Sequence, residues 1–106
     1  MRQFEADIKA AIIKAEAAGY TLDVGHWIFR NTCCALGALI MTYPGWRDEY
    51  STVGPKLLVS KLLDVSEPEI EAFTAGFDNK GVDDCDERYL DTYKFGQEMR
   101  TFALHG

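Results

Sequence analysis

The stretch CCALGALIMTY, residues 33–43, decides the fold of this chain. It contains no charged residue, and a Pro-Gly pair that ends helices follows it. Asn31 or Thr32 can cap a helix that begins here. Because a helix that is apolar on nearly every side belongs in the interior, the sequence predicts that this helix runs through the middle of the domain. Gly37 would let a neighbouring helix approach closely.

Helical periodicity continues on both sides of this segment. Apolar residues from Phe4 to Ala18 recur at helical spacing, and Gly19 is a suitable C-terminal stop. Pro55 suits the first turn of a further helix. Apolar positions between residues 85 and 103 fall roughly on one helix face and predict the last helix.

A helix start is also indicated at Ser66-Glu67-Pro68-Glu69. Ser66 would be the cap, Glu69 its capping-box partner, and Pro68 a first-turn residue. The apolar helix before this start gives residues 57–76 the pattern of a helix-turn-helix pair.

Two segments lack a clear helical pattern. Residues 20–30 alternate polar and apolar positions and are rich in aromatics, which predicts either a short hairpin or an aromatic-pinned loop. Residues 46–51 are predicted to form a polar loop with aromatic anchors. The whole chain, residues 1–106, is therefore predicted to be one compact all-α domain of about five helices, containing a helix-turn-helix-like pair and one short aromatic segment.

The negative charge is concentrated in one part of the chain. Residues 64–91 hold ten acids and two bases, a formal charge of −8, whereas the other residues hold nine bases and seven acids, a charge of +2. Such a region repels phosphate and attracts basic surfaces. The predicted partner-binding residues are its exposed carboxylates: Glu67, Glu69, Glu71, Asp78, Asp83, Asp84, Asp86 and Glu87.

The same charge argues against direct nucleic-acid binding. The second helix of the helix-turn-helix pattern carries three glutamates and no base, so each would face a polyanion. No basic patch interleaved with aromatics and no phosphate-cradling glycine motif is present. A transcription regulator that uses residues 57–76 is kept only as a further alternative.

No metal or cofactor is predicted. Aligning Gly81 with the glycine of a calcium loop puts Lys80 and Gly76 at ligand positions, which leaves the ligand set incomplete. Three cysteines and two histidines lack the spacing of a structural zinc site.

The cysteines support a second function hypothesis. Cys33 and Cys34 lie at a predicted helix N-terminus, where the helix dipole lowers a thiol pKa, and His26 lies a few residues upstream. A small cysteine-dependent enzyme or sensor is therefore an alternative, although buried packing thiols are the default reading. The cysteine count is odd, and the sequence shows no secretory signal pattern, so we expect a cytoplasmic protein. It also contains no apolar run of membrane-spanning length, so we expect no membrane association.

Three scattered pieces resemble a group of known proteins. The run CCALGAL, the FDN turn at residues 77–79 and the final Y-x-x-G-x-x-M-R helix are similar to small uncharacterised bacterial and phage all-α proteins that share a C-x-L-G-A helix start. The resemblance implies no activity and no site residue.

The leading hypothesis is a non-enzymatic interaction protein. Its acidic segment would dock on the basic surface of a partner protein. In a phage setting this would be an inhibitor whose carboxylates mimic nucleic acid and block a host nucleic-acid-binding protein. The competing explanation is that the acidic segment only keeps a small protein soluble.

Overall fold

The computed structural model describes residues 1–104, and of Asp84 it describes only the backbone. These residues form a mostly helical fold with a minor sheet, so the predicted all-α class is confirmed in its main feature. The helices are α1 (Glu5–Ala17), α2 (Ala35–Ile40), α3 (Trp46–Val53), α4 (Pro55–Leu63), α5 (Glu67–Phe77) and α6 (Leu90–Leu104), and the strands are β1 (Thr21–Leu22), β2 (Ile28–Phe29) and β3 (Thr32–Cys33). Short 3₁₀ turns lie at Arg2–Phe4, Val82–Asp84 and Glu87–Tyr89.

Helix α2 is the centre of the core, as its composition predicts. All six of its residues are buried, and α1, α4 and α6 contact it. The predicted start of this helix was wrong, because Thr32 and Cys33 pair in a strand and Cys34 is the N-cap. The sulfur of Cys34 accepts a hydrogen bond from the backbone N–H of Gly37 at 3.3 Å.

The aromatic segment forms part of a three-stranded sheet. Strand β3 pairs parallel with β1 and antiparallel with β2, so the order is β1-β3-β2. A two-residue turn links β2 to β3, and Arg30 in that turn has a left-handed φ of 56°. A hairpin confined to residues 20–30, one of the two predicted alternatives, is therefore wrong: β1 and β2 do not pair with each other, and the hairpin is formed by β2 with β3, which lies beyond residue 30. Gly37 faces this sheet rather than a helix, since a Cβ there would collide with the carbonyl oxygen of Trp27.

Helices α5 and α6 cross closely through two glycines. A Cβ on Gly76 would collide with the carbonyl oxygen of Tyr93, and one on Gly96 would collide with that of Phe73. The ring of Phe73 meets the Phe95 ring edge-on at 5.5 Å between centroids, which fills the space beside the crossing. Helix α6 begins at Leu90, five residues later than predicted, because the Glu87–Tyr89 turn precedes it.

Helix α3 corrects the prediction of a polar loop at residues 46–51. Trp46 and Tyr50 are one turn apart and contact edge-on at 5.9 Å, so two aromatic anchors are enough to pack a short, otherwise polar helix. Gly45 and Gly54, with φ of 74° and 84°, flank this helix.

The predicted capping box at the start of α5 is also wrong. Ser66 occupies the N-cap position, but its side chain makes no cap hydrogen bond and lies 3.3 Å from the hydroxyl of Tyr89. The Glu69 carboxylate accepts from the amino group of Met1 at 3.0 Å instead. A three-residue turn, with Asp64 in a left-handed conformation, joins α4 to α5 as a helix-turn-helix-like pair.

Candidate functional site

The acidic segment includes the surface of α5. Glu67 and Glu71 are exposed and four residues apart, so their carboxylates project from the same side of the helix about 6 Å apart along its axis. Helix α5 contains no lysine or arginine. The expectation that these two glutamates share a face is therefore consistent with the helix as it folds.

Two of the predicted partner-binding residues on α5 have internal ion pairs. Glu69 is mostly buried, with 22 % of its side chain exposed, and it accepts from the Met1 amino group. Glu71 lies 2.6 Å from the ammonium of Lys56 on α4, and both side chains stay exposed. An exposed pair of this kind contributes little to folding, so Glu71 remains accessible to a partner, whereas Glu69 acts inside the fold.

Asp78 and Asp86 also have partners within the chain. Asp78 accepts a hydrogen bond from the backbone N–H of Gly25 at 3.1 Å, which connects the end of α5 to the loop before β2. The guanidinium and backbone N–H of Arg88 both donate to Asp86. These hydrogen bonds lower the pKa of Asp86 to about 2, so its carboxylate is ionised at neutral pH.

Three of the remaining predicted carboxylates lack an ion pair with the described residues. Glu67, Asp83 and Glu87 are exposed and form no ion pair with any residue from 1 to 104, while the side chain of Asp84 lies outside the described part of the structure. Both 3₁₀ turns that carry Asp83 and Glu87 contact α5. We call the exposed carboxylates of Glu67, Glu71, Asp83 and Glu87 the acidic face.

Arg2, at the other end of the chain, pairs with two acids near the C-terminus, which no sequence pattern indicates. Its guanidinium donates to Glu98 at 2.6 Å and to Asp91 at 3.0 Å, and these bonds lower the pKa of both carboxyl groups. Arg2 is 89 and 96 residues away from these partners, so no local pattern could have identified the pairs. Only the folded arrangement of α6 beside the N-terminal turn brings them together.

The cysteines of the second hypothesis are buried. Cys33 has no exposed surface, and burial raises the pKa of its thiol to about 11. Burial likewise raises the pKa of the Cys34 thiol to about 12, which outweighs the lowering effect of the helix N-terminal N–H groups. At neutral pH both sulfurs are therefore overwhelmingly protonated and weakly nucleophilic.

The His26 ring is held by a hydrogen bond to Thr32. Its Nε2 lies 2.7 Å from the hydroxyl oxygen of Thr32, and that hydroxyl donates its own proton to the Phe29 carbonyl. Since the hydroxyl has only one proton, the Nε2–H of His26 must be the donor to Thr32. His26 and Cys34 both line a cavity of about 240 Å³ beside Asp78, and the raised pKa of Cys34 keeps the thiol in that cavity protonated at neutral pH.

Thiol labelling should distinguish the three cysteines. In the folded protein at neutral pH, iodoacetamide should modify Cys85, which is partly exposed, and leave Cys33 and Cys34 intact because they are buried. Mass spectrometry should show one adduct before denaturation and three after it. A Cys85→Ser variant is the control and should gain no adduct while folded. Rapid labelling of either buried cysteine in that variant would restore the enzyme or sensor hypothesis.

The geometry gives no positive support for a metal site or a base-reading helix. Within residues 1–104, apart from the Asp84 side chain, no group of three histidine, cysteine or acidic side chains could hold an ion. The exposed side of α5, the second helix of the helix-turn-helix-like pair, presents glutamates and would repel a phosphate backbone. Among the described residues, none of the helices combines the length and apolarity required to cross a bilayer.

Comparisons with known proteins give no further assignment. No protein-family model, curated protein or solved structure matches this chain. The functional argument therefore depends on the geometry and charge of the chain's own residues.

Proposed function

We propose that this protein is a non-enzymatic interaction module that docks on a basic protein surface through its acidic face. The observation that carries the proposal is the exposed pair Glu67 and Glu71 on a helix that contains no base. Carboxylates in a row can engage a row of lysines or arginines, and arginine does so through two parallel hydrogen bonds. Docking of this type is steered by charge and is therefore fast and salt-dependent.

The finer proposal is that the acidic face occupies a nucleic-acid-binding site in place of phosphates. Glu67 and Glu71 provide two carboxylates about 6 Å apart along the helix, with Lys56 paired to one of them, compared with one charge per about 3.4 Å along a DNA strand. Because this charge density is lower than that of DNA, the acidic face would occupy only a few of the partner's phosphate-binding positions and not a long series of them. Asp83 and Glu87, on turns that contact α5, would widen the contact beyond one helix face.

The setting that fits this proposal is the cytoplasm of a bacterial cell. Cys33, Cys34 and Cys85 are all free, as is usual in reducing compartments. The competing explanation, a face that only solubilises the protein, makes the opposite prediction for partner capture.

Salt-dependent capture tests the proposal. The immobilised protein should retain one or a few basic proteins from a bacterial lysate at 50 mM salt and release them at 500 mM, because added salt screens the attraction. A variant with Glu67→Lys and Glu71→Lys should not retain them. The matched control carries Glu5→Lys and Glu16→Lys on α1, and it should retain them like the wild type. Equal retention by both variants would contradict docking through the acidic face.

The control is matched in charge and in contacts. Each double variant changes the net charge by the same amount, and each breaks one exposed ion pair, Glu71 with Lys56 or Glu5 with Lys9. The second residue of each pair, Glu67 or Glu16, is exposed and forms no ion pair with the described residues. A difference between the variants therefore reports the position of the charge and not its amount.

A further inference from the structure

A second surface, formed where α1, α2 and α3 meet, has the opposite character to the acidic face. It is a groove of about 200 Å³. Its floor consists of small buried side chains, Ala11 and Ala15 on α1 and Ala38 on α2. Because none of these residues reaches beyond a methyl group, the packed helices leave an open apolar hollow rather than a filled seam.

Two basic residues border this groove. Lys14 lies in the last turn of α1, and Arg47 lies in the first turn of α3 with its guanidinium carbon 4.7 Å from the centre of the Trp46 ring. Both are exposed, and neither forms an ion pair with a residue in the described part of the chain. Five other bases do form such pairs, namely Arg2, Lys9, Lys56, Lys61 and Arg88.

No carboxylate lines this groove. Along α1, Asp7 lines an adjoining hollow that shares Lys14, but it lies about 10 Å from Lys14 along the helix axis. The exposed carboxylate of Asp48 follows Arg47 and lines another adjoining hollow with Arg47 and Trp46, so one nearby acid opposes the two cations. The apolar floor between the two cations is flanked by the half-buried ring of Trp46. An apolar surface with cations at its border is complementary to an apolar ligand that carries an anion.

We propose that this groove binds a small planar aromatic carboxylate. The ring system would lie over the alanine floor against Trp46, since offset stacking is favoured between aromatic rings. The carboxylate would accept two hydrogen bonds from Arg47, whose guanidinium carbon lies 4.7 Å from the centre of the indole ring, with Lys14 as a second cation. The volume lies below the roughly 300 Å³ at which drug-sized pockets begin, so it suits a ligand of one or two rings.

This inference is independent of the proposed function. It uses no residue of the acidic face, and a partner docked on α5 is not required for it. The acidic-face variant Glu67→Lys with Glu71→Lys should therefore bind the ligand as the wild type does, which keeps the two proposals separately testable.

Three isosteric probes test the proposal by calorimetry and ligand-observed NMR. 2-Naphthoate should bind with a Kd of about 1 mM or tighter, whereas 2-naphthylmethylamine and 2-naphthalenemethanol should bind at least about tenfold more weakly. Arg47→Gln should weaken naphthoate binding by about fivefold, because an exposed charge pair contributes modestly. Ala18→Leu, at an exposed position that lines the groove, should weaken all three probes by filling the hollow.

Lys94→Gln is the matched control. Lys94 is an exposed base on α6 without an ion pair among the described residues, and its removal changes the net charge as Arg47→Gln does. It should leave the naphthoate Kd unchanged. Equal affinity for the three probes, an equal effect of Arg47→Gln and Lys94→Gln, or no naphthoate binding at about 5 mM would each overturn the proposal.

Discussion

Replacing Leu36 by alanine is expected to lower the free energy of unfolding by about 2–5 kcal/mol. Leu36 has no exposed surface and lies in α2, which α1, α4 and α6 contact. Truncation removes buried methyl groups and leaves a cavity that close-packed neighbours fill only in part. Urea unfolding followed by circular dichroism would measure the loss.

The matched control for this truncation is Leu57→Ala. Leu57 also lies in a helix, but 42 % of its surface is exposed. Its truncation should change the free energy of unfolding by less than about 1 kcal/mol, as surface substitutions usually do. If Leu36→Ala were as mild as Leu57→Ala, α2 would not be the centre of the core and the architecture described above would be wrong.

Reversing the charge of Glu67 and Glu71 to lysine is expected to slow association with the captured basic partner by about tenfold or more at low salt. The reason is that opposite charges steer diffusional encounter, and the reversal turns attraction into repulsion at two of the four carboxylates of the acidic face. The difference from wild type should shrink as salt rises, since the Debye length falls from about 10 Å at 0.1 M to about 3 Å at 1 M. Stopped-flow association at two salt concentrations would measure it.

Folding should be little affected by this reversal. Both glutamates are exposed, and the ion pair between Glu71 and Lys56 is exposed as well, so the loss of stability should stay below about 1 kcal/mol. The Glu5→Lys and Glu16→Lys variant should associate at nearly the wild-type rate. Equal, small effects of the two variants would mean that the acidic segment serves solubility and that the binding surface lies elsewhere.

The helices that the sequence predicts well are those with strong local signals. Helix α1 shows a clear apolar period, and Gly19 follows it with a φ of 97°. Pro55 is in the first turn of α4, as expected. The burial of α2 follows from its composition alone. In these places the local preference and the packed fold agree, so periodicity and end signals are sufficient.

The errors occur where tertiary contacts override local preference. Thr32 and Cys33 look like the start of a helix, but β1, eleven residues earlier, pairs with them in parallel register. The capping box fails because Ser66 contacts Tyr89, which lies 23 residues away in the sequence. Local sequence motifs predict neither contact, because each joins residues that are distant in the sequence.

The candidate site was only partly predictable for the same reason. The sequence shows that carboxylates cluster, and the helical spacing of Glu67 and Glu71 puts them on one side. It does not show that Glu69 forms an ion pair with the Met1 amino group, or that Asp78 accepts a hydrogen bond from the backbone N–H of Gly25. The groove bordered by Lys14 and Arg47 depends on a helix that was predicted as a loop, so no sequence pattern indicated it.

The most direct test of the central claim is a competition measurement. A fluorescent DNA duplex is bound to the basic partner obtained by capture, and the protein is added while fluorescence anisotropy is followed. Our account predicts that the wild type and the Glu5→Lys, Glu16→Lys variant displace the duplex, whereas the Glu67→Lys, Glu71→Lys variant does not. Simultaneous binding of duplex and wild-type protein to the partner would contradict the claim that the acidic face takes the place of phosphates.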